Sequence, residues 1–348
     1  MTIAALNCAL KQYIDPFLGQ DLFSAKVVKL LTDKTLKLQF GFPVGDIAAQ
    51  ITAAVQAALP QTLDIQISTV IKGHVGQKSL NALPQIKNII VVASGKGGVG
   101  KSTTAVNLAL ALSKMGARTG LLDADIYGPS VPLMMGLRTR PEFADKTQLK
   151  PIIRHGLQTM SIGYLIGEKA PMVWRGPMVS TAVQQLIHDT LWDNLDYLIV
   201  DLPPGTGDIQ LTLAQKIPLS AAVVVTTPQD LALIDAARAV EMFQKVQIPV
   251  LGIIENMAMH ICSACGHNEA IFGEQGGDKF AEQYALPLLG RLPLDKKIRA
   301  DCDAGSPTAT TEGAITSLYV DIARRLSAKL SLEMTDYSHN FTNVVIKN

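Results

Sequence analysis

The residues with the clearest chemical purpose form one uninterrupted run: Gly95, Lys96, Gly97, Gly98, Val99, Gly100, Lys101, Ser102 and Thr103. They fit G-x-x-x-x-G-K-[ST], and they lie between the apolar run Asn88 to Ser94 and a helix-length segment, the strand-to-helix placement that the motif requires. Glycines let backbone N–H groups converge on phosphate oxygens, and the helix N-terminus adds a favourable dipole. In such a loop Lys101 reaches the β and γ phosphates and Ser102 offers its hydroxyl to Mg2+. The chemistry this implies is binding of a nucleoside triphosphate with its metal ion.

Two further segments supply carboxylates. In Leu121-Leu122-Asp123-Ala124-Asp125 both aspartates emerge at the carboxyl end of an apolar run, where open α/β sheets bind ligands. Asp125 is the candidate for orienting an attacking water, and Asp123 for a place near Mg2+ or its waters. Capping of the turn at Gly128-Pro129-Ser130 is the structural alternative for either. A second apolar run, Leu198-Ile199-Val200-Asp201, opens into Leu202-Pro203-Pro204-Gly205-Thr206-Gly207-Asp208, which reads as a switch loop. Asp201 would hold Mg2+ through water, and Gly205 would sense a γ-phosphate with its backbone N–H. Hydrolysis at such a site is phosphoryl transfer to water, achieved by positioning and charge neutralisation.

The four cysteines are Cys8, Cys262, Cys265 and Cys302, too few for a disulfide framework and suited to a reducing compartment. Only Cys262 and Cys265 are close together, as C-x-x-C. That spacing serves a redox dithiol, half of a metal site, or nothing; the thioredoxin-like context of a redox pair is absent. His260 and His267 would complete four zinc ligands, but four ligands within eight residues strain to form a tetrahedron. Cys8 and Cys302 are expected to be buried structural cysteines. His74, His155, His188 and His339 show no ligand spacing, so surface or packing roles are expected for them.

These residues need a scaffold. From Asn88 onward the apolar runs NIIVVAS, TGLLDAD, LQTMSIG, DYLIVDLPPG, AAVVVTTP and VLGIIEN alternate with helix-length segments. Such alternation predicts an α/β fold over residues 88–332, with a doubly wound, mostly parallel sheet covered on both faces. Residues 1–80, by contrast, contain no Arg and no Glu, only seven Lys and five Asp. That break predicts a separate small α+β domain over 1–75: a helix from Thr2 to Tyr13, strands at Ala25 to Leu31 and Thr35 to Phe40, a helix from Val44 to Ala58 and a strand from Asp64 to Ile71. Residues 76–87 read as a linker and 333–348 as a polar tail. The 348 residues carry 31 basic against 30 acidic side chains, a net charge of +1, which argues against a general nucleic-acid binder. No stretch reaches the roughly 18 apolar residues of a membrane span, and the N-terminus lacks a basic leader, so a cytoplasmic protein is expected.

Lys96 has no role in a general phosphate loop. A lysine there resembles the deviant Walker A subgroup of P-loop ATPases, in which it reaches across a dimer interface to the partner's nucleotide; the resemblance implies a homodimer. A two-fold dimer would bring two C-x-x-C pairs together as the four thiolates of a [4Fe-4S] cluster. Together with DADIYGPS (Asp123 to Ser130), WRGPM (Trp174 to Met178), DLPPGTGD (Asp201 to Asp208), TTPQ (Thr226 to Gln229) and ENM before C-x-x-C, the loop resembles the Mrp/ApbC family of iron-sulfur cluster carrier ATPases over roughly Asn88 to Leu332. The resemblance implies a P-loop NTPase fold, ATP and Mg2+ as cofactors, Lys96, Lys101 and Asp125 as catalytic residues, and Asn256 as the adenine-reading asparagine. It further implies Cys262 and Cys265 as cluster ligands, and transfer of the cluster to apo-proteins in exchange with scaffold proteins. Residues 1–75 resemble the MIP18-type (DUF59) module through Asp15-Pro16-x-x-Gly19-x-Asp21-Leu22, with one departure: Phe42 stands before Pro43 where relatives often have Cys. A spatial-positioning ATPase of the ParA/MinD type shares the loop and both carboxylate segments, and a zinc-stabilised regulatory ATPase is the other alternative. Neither a basic amphipathic tail nor a basic excess supports a membrane or DNA partner: residues 81–348 hold 24 basic and 25 acidic side chains. Arg175 within WRGPM is a weak further candidate for meeting phosphate or carboxylate.

Overall fold

Strands that are apolar on both faces avoid water only inside a sheet covered by helices. The computed structural model, which describes residues 3–74, 82–137, 139–165, 176–262 and 264–333, forms such a sheet. Ahead of it lie α1 (Ile3–Gln12), β1 (Val28–Leu31), β2 (Thr35–Phe40), α2 (Ala48–Ala58) and β3 (Asp64–Thr69). β1 pairs antiparallel and β3 parallel with β2, and the helices close over one face, their Leu6, Leu10 and Val55 sharing one core with Leu38 and Phe40 of β2. The first strand starts three residues later than its β-branched pattern suggests, because Lys26 adopts a left-handed φ of 56° that no strand accommodates. Phe42, in place of a thiol, is wholly buried edge-on against Phe40. That position therefore serves the core.

The second body contains β4 (Ile89–Ala93), α3 (Lys101–Lys114), β5 (Thr119–Asp123), α4 (Val131–Met134), β6 (Ile152–Arg154), β7 (Leu157–Ser161), α5 (Gly176–His188), β8 (Tyr197–Asp201), α6 (Asp208–Lys216), β9 (Ala221–Thr226) and α7 (Asp230–Lys245). It continues through β10 (Val250–Glu255), the short hairpin β11 (His260–Ile261) and β12 (Asn268–Glu269), α8 (Gly276–Gln283), β13 (Leu288–Arg291), α9 (Lys296–Asp303) and α10 (Ala314–Ser331). The sheet runs β13-β10-β9-β4-β8-β5-β7-β6, and only the edge pair β6–β7 is antiparallel. β4 sits between β8 and β9, so chain order reverses on either side of it, and ligands in open α/β sheets bind at the carboxyl ends of strands around such a point. Every residue of β4, β5, β8 and β9 is buried.

The two bodies are joined by more than the chain. Ala328 of α10 belongs to the core of the first, and Arg324 crosses to Asp46. His74 and Asn88 meet beneath β4, where Asn88 Oδ1 accepts from the His74 backbone N–H and ring Nδ1, at 3.1 and 2.8 Å. Of the segment read as a linker, residues 76–81 lie outside the described residues, while Lys87 N–H donates to the Leu195 carbonyl and Ile86 is buried.

Candidate functional site

β4 delivers the glycine-rich loop to the carboxyl end of the sheet, and α3 begins at Lys101. Two glycines there are dictated by contact. A Cβ on Gly95 would stand 2.0 Å from the Asp235 carbonyl oxygen of α7, and one on Gly100, whose φ is +81°, would stand 2.2 Å from Asn256 Nδ2. Asn256 is buried, and its amide donates to the Val99 carbonyl at 2.8 Å. The residue expected to read adenine is thus also a brace under the loop. Gly205 N–H, the expected γ-phosphate sensor, donates to the Ser94 carbonyl at 2.9 Å, so the switch loop rests on the base of the phosphate loop. Lys96 is half-buried, and no acidic partner for it occurs among the described residues.

Below the loop the carboxylates gather around one ammonium group. Lys101 Nζ, 6 % exposed, lies 2.5 Å from Asp201 Oδ1, 3.1 Å from Ser102 Oγ and 3.8 Å from Asp125 Oδ2. Asp123 Oδ2 accepts from Ser161 Oγ at 3.0 Å and from Val131 N–H at 3.2 Å, while Oδ1 accepts from Asp125 N–H. Asp123 thus stands in the carboxylate cluster and also anchors the first residue of α4, just past the turn that its structural alternative would cap. Burial, reinforced by the neighbouring Asp201 charge, pushes Asp123 up to about 8. Burial raises Asp125 too, against the pull of Lys101. Three carboxylates buried beside one lysine are driven toward protonation for want of positive charge, and among the described residues Asp201 Oδ2 has no hydrogen-bond partner. Those features suit a hard divalent cation beside Ser102 and Asp201.

The cysteines lie on the β11–β12 hairpin that follows β10. Cys262 N–H donates to the His267 carbonyl at 2.9 Å and Gly266 N–H to the Cys262 carbonyl at 2.8 Å. The backbone N–H groups of Ala264 and Cys265, then the Cys265 thiol, hold the Cys262 pKa below the ordinary thiol value. Charge-stabilised, solvent-reachable sulfur is the form that ligates metal. Cys262 is half-buried and Cys265 exposed. His260 Nδ1 is bound to the Leu294 carbonyl at 3.0 Å, so that nitrogen carries the proton. Among the described residues no three His, Cys, Asp or Glu side chains come together as a metal-binding group. Among the described residues the pair stands as two sulfur ligands rather than as a closed tetrahedral site.

Cys8 departs from expectation: it is exposed on the outer face of α1, because Leu6 and Leu10 take the buried positions of that helix. Cys302 is buried, and burial pushes its thiol up to about 11, an inert state. Among the isolated histidines, His74 is buried, His188 is exposed and His155 is intermediate; His339 lies outside the described residues. Trp174 and Arg175 lie outside the described residues as well. Sequence reasoning missed Ser161, which arrives from a strand 38 positions away to hold Asp123, and Glu255, whose carboxylate accepts from Gly277 N–H at 2.7 Å and Arg291 Nε at 2.8 Å. Ser161 belongs to no local motif, and Glu255, although it opens the Glu255-Asn256-Met257 run, binds residues 22 and 36 positions further on, so spacing carries no signal for these roles.

Similarity to known proteins agrees with this geometry. Over 337 residues the chain is 48% identical to an iron-sulfur cluster carrier protein of Haemophilus influenzae, covering 92% of this chain and 90% of that one. It is 51% identical over 229 residues to the iron-sulfur cluster transfer protein NUBPL of Mus musculus, covering 65% and 72%. Among solved structures, a nucleotide-binding protein from Archaeoglobus fulgidus in complex with ADP superposes with a TM-score of 0.57 at 36% identity, covering 64% of this chain and 87% of that one. Among the described residues no helix is long and apolar enough to cross a membrane. The family described as ParA: NUBPL iron-transfer P-loop NTPase matches residues 85–327, and the chain belongs to that family of P-loop NTPases.

Proposed function

We propose that the chain is an iron-sulfur cluster carrier: two copies hold one [4Fe-4S] cluster between their Cys262 and Cys265 pairs and pass it to apo iron-sulfur proteins, with ATP binding and hydrolysis governing the hand-over. The observation that carries this reading is the cysteine hairpin. It presents two sulfurs, one drawn toward thiolate by backbone N–H groups, with no further ligand gathered beside them among the described residues. Two such hairpins across a two-fold axis supply four thiolates, and an exposed pair leaves the cargo open to exchange with a recipient's cysteines. The names of the Haemophilus influenzae and Mus musculus relatives point the same way.

The nucleotide half of the proposal rests on the loop and the carboxylates. Loop N–H groups and Lys101 bind the β and γ phosphates, Ser102 and Asp201 hold Mg2+, and Asp125 orients the attacking water. When bound, Mg2+ supplies charge neutralisation between the phosphates and the crowded carboxylates. Lys96, without an acidic partner among the described residues, is available to reach the nucleotide of a second copy. Residues 1–75 are proposed as an adaptor, built like the MIP18-type module, that handles recipients without a thiol at position 42.

The test replaces each cysteine separately. Cys262→Ala and Cys265→Ala proteins, reconstituted anaerobically with iron and sulfide, are expected to hold no cluster and donate none while still hydrolysing ATP. Variants that retain and transfer a cluster as the parent does would overturn the proposal.

A further inference from the structure

The loop that binds phosphate and the hairpin that carries the thiols are far apart in sequence, yet one side chain touches the first and begins the segment leading to the second. Asn256 follows β10. Its backbone N–H is pinned to the Thr226 carbonyl at 2.8 Å, and its side-chain amide donates to the Val99 carbonyl at 2.8 Å inside the phosphate loop. The next residue, Met257, has a φ of +57°, a conformation uncommon for a side chain of its type, and turns the chain sharply off the strand.

From there the chain has no free play. Glu255 O accepts from Leu292 N–H at 2.9 Å, Ala258 N–H donates to Leu292 O at 3.0 Å, Met259 O accepts from Leu294 N–H at 2.8 Å, and the His260 ring donates to Leu294 O at 3.0 Å. Residue 260 is already the first of the hairpin, and Cys262 is bonded across it to His267. Six peptide steps separate Asn256 from Cys262, at most about 20 Å of chain, and successive hydrogen bonds to residues 292–294 stiffen the span.

A phosphate ion in such a loop draws the N–H groups inward, which fixes the direction of the peptide carbonyls between them. The Val99 carbonyl is one of these, and Asn256 is the side chain that reads it. We propose that Asn256 is a positioning residue whose amide bond to the Val99 carbonyl ties the conformation of the phosphate loop to that of the cysteine hairpin, so that nucleotide binding alters the reactivity of Cys262 and Cys265 within a single chain. This rests on the carrier reading above for its purpose, but its test uses thiol chemistry in cluster-free protein and stands or falls separately from cluster binding.

The experiment measures alkylation of Cys262 and Cys265 by iodoacetamide, followed by peptide mass spectrometry, in the full-length apo-protein with and without saturating ATP and Mg2+. In the parent the rate is expected to change about fivefold or more, the low end of ordinary coupling between sites. Asn256→Ala removes the donor, and Asn256→Asp sets an oxygen against the Val99 carbonyl. Both are expected to alkylate at rates identical within error with and without nucleotide, at concentrations where a fluorescent ADP analogue shows them to be loaded. His260→Ala cuts the same path beyond the loop and reports independently if the Asn256 variants cannot be loaded; it is expected to bind nucleotide and lose the response. A parent with no nucleotide response would overturn the proposal. So would a nucleotide-loaded Asn256→Ala that keeps the response, or, if that variant cannot be loaded, a His260→Ala that keeps it.

Discussion

The joint between the two bodies yields the most quantitative expectation. Arg324 of α10 is 2 % exposed; its Nη1 donates to the Pro43 carbonyl and to Asp46 Oδ1, both at 3.1 Å, and its Nη2 to Asp46 Oδ2 at 2.5 Å. The guanidinium carbon lies 5.5 Å from the centre of the Phe17 ring. Removing one partner of a buried ion pair costs about 3–5 kcal/mol, most of it from stranding the other charge. Here the stranded group is only partly stranded, because the Asp46 side chain keeps 39% exposure and regains water. The Pro43 carbonyl, by contrast, loses a buried donor, about 1 kcal/mol more. Arg324→Ala is therefore expected to destabilise by about 3 kcal/mol, and Arg324→Lys by about 1–2 kcal/mol, since an ammonium keeps the charge but cannot grip both carboxylate oxygens. Urea unfolding followed by circular dichroism measures this. Because Ala328, one turn further along α10, belongs to the N-terminal core, the Ala variant is also expected to lose that core in an earlier, separate transition. A change below about 0.5 kcal/mol, the range of an ordinary surface substitution, would refute the assignment of this fork as the clamp.

Other expectations concern the site and its surroundings. Gly100→Ala forces a side chain into a left-handed position, about 1–2 kcal/mol, and displaces the Asn256 amide, about 1 kcal/mol more; nucleotide affinity measured calorimetrically should fall about tenfold or more, and unchanged affinity would contradict the close approach seen here. Asp201→Asn should lower ATP turnover about a hundredfold or more without loss of fold by circular dichroism, and near-parental turnover would remove Asp201 from the metal site. His74 is buried, its Nε2 has no hydrogen-bond partner among the described residues, and burial lowers its pKa from 6.5. A lowered histidine pKa means the fold holds the neutral ring, so this contribution is intact above about pH 6.5 and is lost as pH falls toward the lowered value, by up to about 1.4 kcal/mol per pH unit. His74→Gln should flatten that part of the stability profile, and parallel profiles for the two proteins would count against it.

Much of this was legible in the sequence because the informative signals are local. A strand, a glycine loop and a helix are consecutive in the chain, so Gly95 to Thr103 announces both its chemistry and its position, and Asp123 and Asp201 each end an apolar strand. The six sheet strands from 89 to 255 that were read as apolar runs all form. The remainder depends on encounters between distant segments. Ser161 meets Asp123, Arg324 meets Asp46, and Asn256 meets Val99 across 157 positions; no periodicity encodes such meetings. Edge strands β6 and β13 carry no such signal: β6 has only three residues, and β13 (Leu288–Arg291) breaks its apolar run at Gly290. Cys8 is exposed against expectation for a related reason: whether a helical residue faces in or out depends on which neighbours claim the core, and Leu6 and Leu10 do.

If each chain supplies half of a cluster site, the loaded protein must show it in its stoichiometry. Native mass spectrometry of anaerobically reconstituted protein, combined with iron and acid-labile sulfide analysis, tests it most directly. The expected result is a dimer carrying a single four-iron cluster, roughly two iron and two sulfide per chain, that falls to cluster-free protein in Cys262→Ala or Cys265→Ala. A monomer holding a complete cluster, or one zinc ion per chain with no sulfide, would contradict it.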